Sequence, residues 1–147
     1  MTAITLRTLT GETTEASAAR IETLRSTLHG GLALPGAHAY DEARTIWNAV
    51  VDRRPSLVIR AADASDVSQS VNLAREHGAV LSVRGGGHQI AGYAVNDGGI
   101  LLDLSQTRSV HGPNIQRLAQ IKHRYDPTNL FRMNHNIAPV SSASAAA

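Results

Sequence analysis

Apolar positions recur along this chain in two periods, and the period sets the expected elements. Between Ala16 and Leu28, Ala18, Ile21, Leu24 and Leu28 return every three or four residues. That spacing makes one apolar helical face, which Gly30-Gly31 should stop. Met1 to Thr14 carries little pattern. Leu34-Pro35-Gly36 reads as a turn. Tyr40 to Val51 suggests a short helix packed through Trp47, Val50 and Val51. Leu57 to Arg60 is a short β-rich run. Asp63 stands where a helix cap belongs, with Asp66 three residues on. Val67, Ser70, Val71 and Ala74 mark the face of that helix, and Gly78 its end. Val80 to Val83 is the next strand, and Gly98-Gly99 turns the chain into a third, Ile100 to Leu104. Strand, helix, strand is a βαβ unit. Beyond His111, Ile115, Leu118, Ala119 and Lys122 fall on one helical stripe. Lys122, His123 and Arg124 lie at its C-terminal end, where cations complement the dipole. Asp126-Pro127-Thr128-Asn129 should end it.

One stretch interrupts the periodicity: Arg84-Gly85-Gly86-Gly87-His88, with Gly92 four residues beyond the histidine. Adjacent glycines allow positive φ and leave backbone N–H groups bare. Such a nest after a strand suits an anion, and Arg84 adds a charge suited to pyrophosphate. The glycine spacing is not the dinucleotide fingerprint of a Rossmann unit, and no helix follows. The residues alone equally allow a tight glycine turn with His88 merely exposed.

Composition narrows the field. With 147 residues there is room for one modest core. The net charge of +2 points to no nucleic-acid or membrane partner, and the absence of cysteine removes disulfides and thiolate chemistry. No apolar run reaches membrane-spanning length, and no secretory leader is evident, so a soluble cytoplasmic protein is expected. His29, His38, His77, His111, His123 and His135 are scattered without ligand spacing, so no metal site is expected. Asp103 inside the third strand reads as a structural partner for a buried donor.

The run from about Pro35 to His111, with Arg84-Gly85-Gly86-Gly87-His88 and Gly99-Ile100-Leu101-Leu102-Asp103-Leu104-Ser105, resembles the FAD-binding domain of the berberine bridge enzyme-like oxidases. These are flavoenzymes of the vanillyl-alcohol oxidase type. Asn114 to Pro139, with Tyr125 to Arg132 and Asn134-His135-Asn136-Ile137, resembles their C-terminal segment. The resemblance implies an α+β fold: a small βαβ-based half of a vanillyl-alcohol oxidase type FAD-binding domain with a C-terminal helix. Its parts would be an N-terminal helical segment (1–34), a partial FAD-binding domain (35–111), the berberine-bridge-like segment (112–139) and a disordered tail (140–147).

The implied function is FAD-dependent oxidation, with hydride passing from a substrate C–H to flavin and oxygen as acceptor. Arg84, Gly85, Gly86 and Gly87 match the loop around the FAD pyrophosphate. His88 matches the histidine that bonds covalently to the flavin, Gly92 a close-approach glycine, and Asn134 and Asn136 a segment ending near the cofactor. The implied partners are FAD and a small-molecule substrate. Tyr40 and Trp47 match core elements.

Members of the family carry a second glycine loop, a flavin-linking cysteine, a substrate domain and a catalytic aromatic base between the two matched segments. Here His111 meets Gly112 directly, which implies a large internal deletion and leaves no catalytic residue to assign. Whether the chain is an active oxidoreductase stays open. The alternative is a truncated, non-catalytic remnant that binds FAD weakly or serves as an interaction module. Loss of partners for Ile100 to Leu104 would expose apolar surface and favour self-association.

Overall fold

The computed structural model describes residues 2–107, 115–130 and 137–139. It divides into two compact units, Met1–Thr107 and Arg108–Ala147. The expected disordered tail and the Asn134-His135-Asn136 stretch lie outside the described residues, as do Asn134 and Asn136 as candidate ligands.

The first unit begins with an antiparallel hairpin, β1 (Ile4–Arg7) and β2 (Thr13–Ala16), where the sequence shows little pattern. Its Thr-rich, mostly solvated strands offer too few apolar positions to be seen. Helix α1 (Ala18–Thr27) follows, its first turn capped by the Ser17 hydroxyl, which accepts from the Arg20 N–H. The chain then adds a short edge strand, β3 (Gly31–Ala33), where a helix stop alone was expected. The Leu34–Gly36 turn forms, closed by the Ala37 N–H donating to Leu34 O.

Helix α2 (His38–Arg44) ends well short of Val51. Its continuation is drawn off to the glycine loop, where the Trp47 N–H donates to Gly87 O at 3.1 Å. Tyr40 is buried and its hydroxyl donates to Pro55 O at 2.7 Å. Trp47 and Val50 are not packing groups: they are 70% and 91% exposed.

The βαβ pattern is present as β4 (Leu57–Arg60), α3 (Ala64–Glu76) and β5 (Leu81–Arg84), followed by β6 (Ile100–Asp103). Strand order is β3-β4-β6-β5, so β6 inserts between the two strands of the unit. It pairs parallel to both, while β3 pairs antiparallel with β4. The expectation of an uncovered third strand is therefore corrected. All four residues of β6 are buried, because strands flank it on both sides and packed side chains cover both faces.

Continuous apolar runs are what parallel strands covered on both faces require. Leu57, Ile59, Ile100 and Leu102 point to one face and meet Leu6, Ile21, Leu24 and Leu73. Val58 and Leu101 point to the other and meet Tyr40, Ala43, Ile46 and Val95. Burying each such aliphatic side chain is worth about 1.5–3 kcal/mol. Asp63 caps α3 as expected, accepting from the Ser65 and Asp66 N–H groups. Asp66 does not complete a capping box. Its buried carboxylate accepts from the backbone N–H groups of His29, Gly30 and Ala62, each at 2.9 Å, tying the α1–β3 turn to the end of β4.

The described part of the second unit is a helix, α4 (Ile115–Tyr125), with Lys122, His123 and Arg124 in its last turn as expected. Asp126 closes it, accepting from the Leu130 N–H and pairing with Lys122. No helix of the described residues is long and apolar enough to cross a membrane.

Replacing Asp66 by Asn leaves one neutral amide oxygen to serve three backbone donors. Hydrogen bonds to a charged acceptor are worth about 1.5–3 kcal/mol each. Asp66→Asn is expected to lower unfolding stability by about that amount in urea titration, and Asp66→Ala by more.

Candidate functional site

The loop Gly85–His88 leaves the C-terminal end of β5, beside the end of β6, on the edge where ligands of parallel sheets bind. Gly87 and Gly92 take positive φ, +70° and +73°. Gly85 faces open space: a Cβ built there would meet no atom within 4 Å. Among the described residues, the backbone N–H groups of Gly85, Gly87 and His88 find no hydrogen-bond partner. The loop and its neighbours Val83, Gln89, Tyr93 and Ala94 line a cavity of about 350 Å³. N–H groups without a protein partner in residues that line a hollow suit an anion. The structure thus brings Gly85, Gly86, Gly87 and His88 together at one cavity.

Gly92 serves from below. A side chain on it would lie 2.7 Å from Val51 Cγ1, so its close approach is to the protein itself. The Arg53 guanidinium donates to Gly92 O and Val95 O at 3.2 and 3.0 Å, fixing the return of the loop. Tyr93 is a lining residue that the sequence does not single out. It is exposed, and its N–H donates to Gln89 Oε1 at 2.6 Å.

The guanidinium of Arg84 turns inward. It donates from Nη1 to Asp103 Oδ1 at 2.9 Å and from Nη2 to Thr45 O at 3.3 Å. Asp103 also lies 3.8 Å from Arg60 Nε and accepts from the N–H and hydroxyl of Ser105. The structural reading of Asp103 holds. His88 is exposed, and among the described residues no hydrogen bond orients its ring.

A larger hollow of about 590 Å³ lies at the opposite end of β5 and β6, lined in part by Arg7, Thr10 and Asp97.

One cluster escapes any reading by spacing. His29, Asp63 and Asp66 converge with ligand atoms within 4.8 Å of one another. The carboxylate oxygens already face N–H donors: Asp66 holds the three backbone groups above, and Asp63 Oδ2 accepts from His29 Nδ1 at 2.6 Å. The cluster acts as a lock on the α1–β3 turn.

Residues 55–121 match the family described as FAD binding domain. Among curated proteins, (R)-6-hydroxynicotine oxidase of Paenarthrobacter nicotinovorans is 43% identical over 84 residues, 57% of this chain and 18% of that protein. Among solved structures, 6-hydroxy-D-nicotine oxidase of Arthrobacter nicotinovorans superposes with a TM-score of 0.52 at 42% identity, over 54% of this chain and 18% of that one. BBE-like 1 of Physcomitrella patens gives 0.53 at 25% identity, over 58% and 19%.

The fold is that of the FAD-binding domain of vanillyl-alcohol oxidase type enzymes, and the cofactor these matches support is FAD. The similarity is carried by residues 55–121, and the chain spans about a fifth of the length of the relatives it matches.

Two outcomes follow from this geometry. Gly92→Ala places a methyl group against Val51 at a left-handed φ, which costs about 1–2 kcal/mol from the backbone alone. Chemical denaturation should show at least that loss.

The second concerns pH. The Asp63 carboxylate raises the His29 pKa above its ordinary 6.5, and the hydrogen bond from His29 lowers Asp63 below 3.8. Stability from the His29 side is fully present below pH 6.5 and is lost as pH rises through the raised value. Stability from the Asp63 side is fully present above pH 3.8 and is lost as pH falls through the lowered value. The pair should therefore contribute most between those two limits. Unfolding midpoints measured against pH should lose the alkaline limb of that plateau in His29→Ala.

Proposed function

We propose that this chain is a berberine bridge enzyme-like, FAD-dependent oxidoreductase segment whose own task is to hold the cofactor's pyrophosphate. The observation that carries the reading is the bare N–H cradle of Gly85, Gly87 and His88 at the C-terminal edge of a parallel sheet. It fits the group: an anion there meets unpartnered N–H donors at a cavity already open. When bound, FAD supplies the redox chemistry, taking a hydride from a small-molecule C–H, with oxygen as the final acceptor.

The residues do the rest. Gly85, Gly87 and His88 would hold the phosphates through backbone N–H groups. Gly92 and Arg53 hold the far side of the loop in place. His88 and Tyr93 border the same cavity. An imidazole that attacks a ring must be positioned first. No hydrogen bond among the described residues does that for His88, so we read FAD binding as reversible.

Titration of the purified chain with FAD, followed by flavin fluorescence, should show saturable binding that ADP competes away. Binding that ADP leaves untouched, or none at all, would refute the pyrophosphate cradle. Mass spectrometry of the denatured complex should show the mass of the polypeptide alone. A flavin adduct on His88 would show instead that its ring is held for bond formation.

A further inference from the structure

We propose that Arg84 and Asp103 are a positioning pair for the cofactor loop, and that Arg84 does not itself bind the pyrophosphate. This rests on the FAD reading of the cradle above.

Parallel register aligns Arg60, Asp103 and Arg84 in one row across β4, β6 and β5. Asp103 is 1% exposed, so its charge must be met inside the protein. Arg84 meets it at 2.9 Å and spends its second amino group on Thr45 O. The guanidinium then lies beside Gly87 of the loop. A Cβ on Gly87 would come within 3.3 Å of Arg84 Nε and 3.7 Å of Nη2, a tight contact, and the φ of +70° itself favours glycine there. From the other side the Trp47 N–H holds Gly87 O, and the carbonyl two residues earlier, on Thr45, is the one Arg84 grips.

Carboxylate, guanidinium, strap and loop thus form one stack, with Asp103 at its base and the bare N–H groups at its top. A phosphate that recruited Arg84 would have to draw Nη1 from the buried carboxylate, leaving Asp103 with Arg60 at 3.8 Å and the Ser105 donors, or reach Nε, which has no partner but is buried beside Gly87. The backbone cradle needs no such exchange. Arg84 therefore acts through the loop, and its planar fork matters more than its charge.

The test is a double-mutant cycle on the full chain, with FAD affinity read by flavin fluorescence. Arg84→Lys keeps the charge but loses the fork, and should weaken FAD about tenfold or more, the scale of one charge-assisted hydrogen bond. Asp103→Asn keeps the shape but loses the anchor, and should weaken FAD to a similar degree. The double variant should bind no worse than the poorer single, because both break one stack.

Three results would overturn the proposal: wild-type affinity in Arg84→Lys, tighter or unchanged binding in Asp103→Asn, or losses that add. An Arg84 freed to meet phosphate directly predicts the first two. Arg84→Lys decides alone if Asp103→Asn does not fold, since it leaves a cation beside Asp103. A wild-type chain that takes no FAD refutes the cradle and this pair with it. A wild-type chain that binds, beside variants that bind equally well, refutes only the pair.

Discussion

A buried carboxylate governs the functional end of this molecule. Asp103 closes the central strand β6, almost wholly out of water, and so requires compensation from within. The parallel register supplies it by setting Arg60 and Arg84 level with Asp103 on the neighbouring strands. The consequences spread outward. Arg84 cannot swing free without costing the carboxylate its nearest cation. The loop that follows Arg84 is therefore held over its guanidinium, and the segment after α2 leaves its helix to clasp the same loop from the side. The aliphatic sheet provides most of the stabilisation, while this charged row determines where the glycines lie.

The same device recurs away from the cradle. Asp66 gathers three backbone N–H groups from two separate crossings. Asn96, also buried, donates to Ser82 Oγ and Ile100 O and accepts from the Gly99 N–H, bringing the chain back to the sheet after its excursion through the glycine loop. Each group satisfies backbone donors or acceptors that no ladder reaches. Short strands of three or four residues leave many such groups at their ends. Buried polar side chains close the gaps.

That pattern explains what could be seen in the sequence. β4 and β6 were legible because both their faces are covered, which leaves continuous apolar runs, and α3 because Asp63 and Gly78 punctuate it. The glycine loop was legible as a break in the apolar pattern, since adjacent glycines end the strand before it. The β1–β2 hairpin and β3 were not, being short, solvated and rich in residues without strong preference. Trp47 misled through its size: its backbone N–H, not its ring, does the structural task. Nor could spacing reveal the meeting of His29 with Asp63, 34 residues apart, or the fact that Arg84 is already engaged by Asp103. Sequence displays a charge but not the partner that occupies it.

The central claim is that FAD is held by backbone N–H groups at the C-terminal edge of the sheet. Amide hydrogen exchange, measured with and without FAD, addresses that directly. Protection on adding FAD should concentrate at Gly85, Gly87 and His88, whose amides have no partner among the described residues. The stretch from Thr8 to Gly11, at the opposite hollow, should exchange as before. Protection that appeared at the opposite hollow and left the glycine loop unchanged would contradict the account.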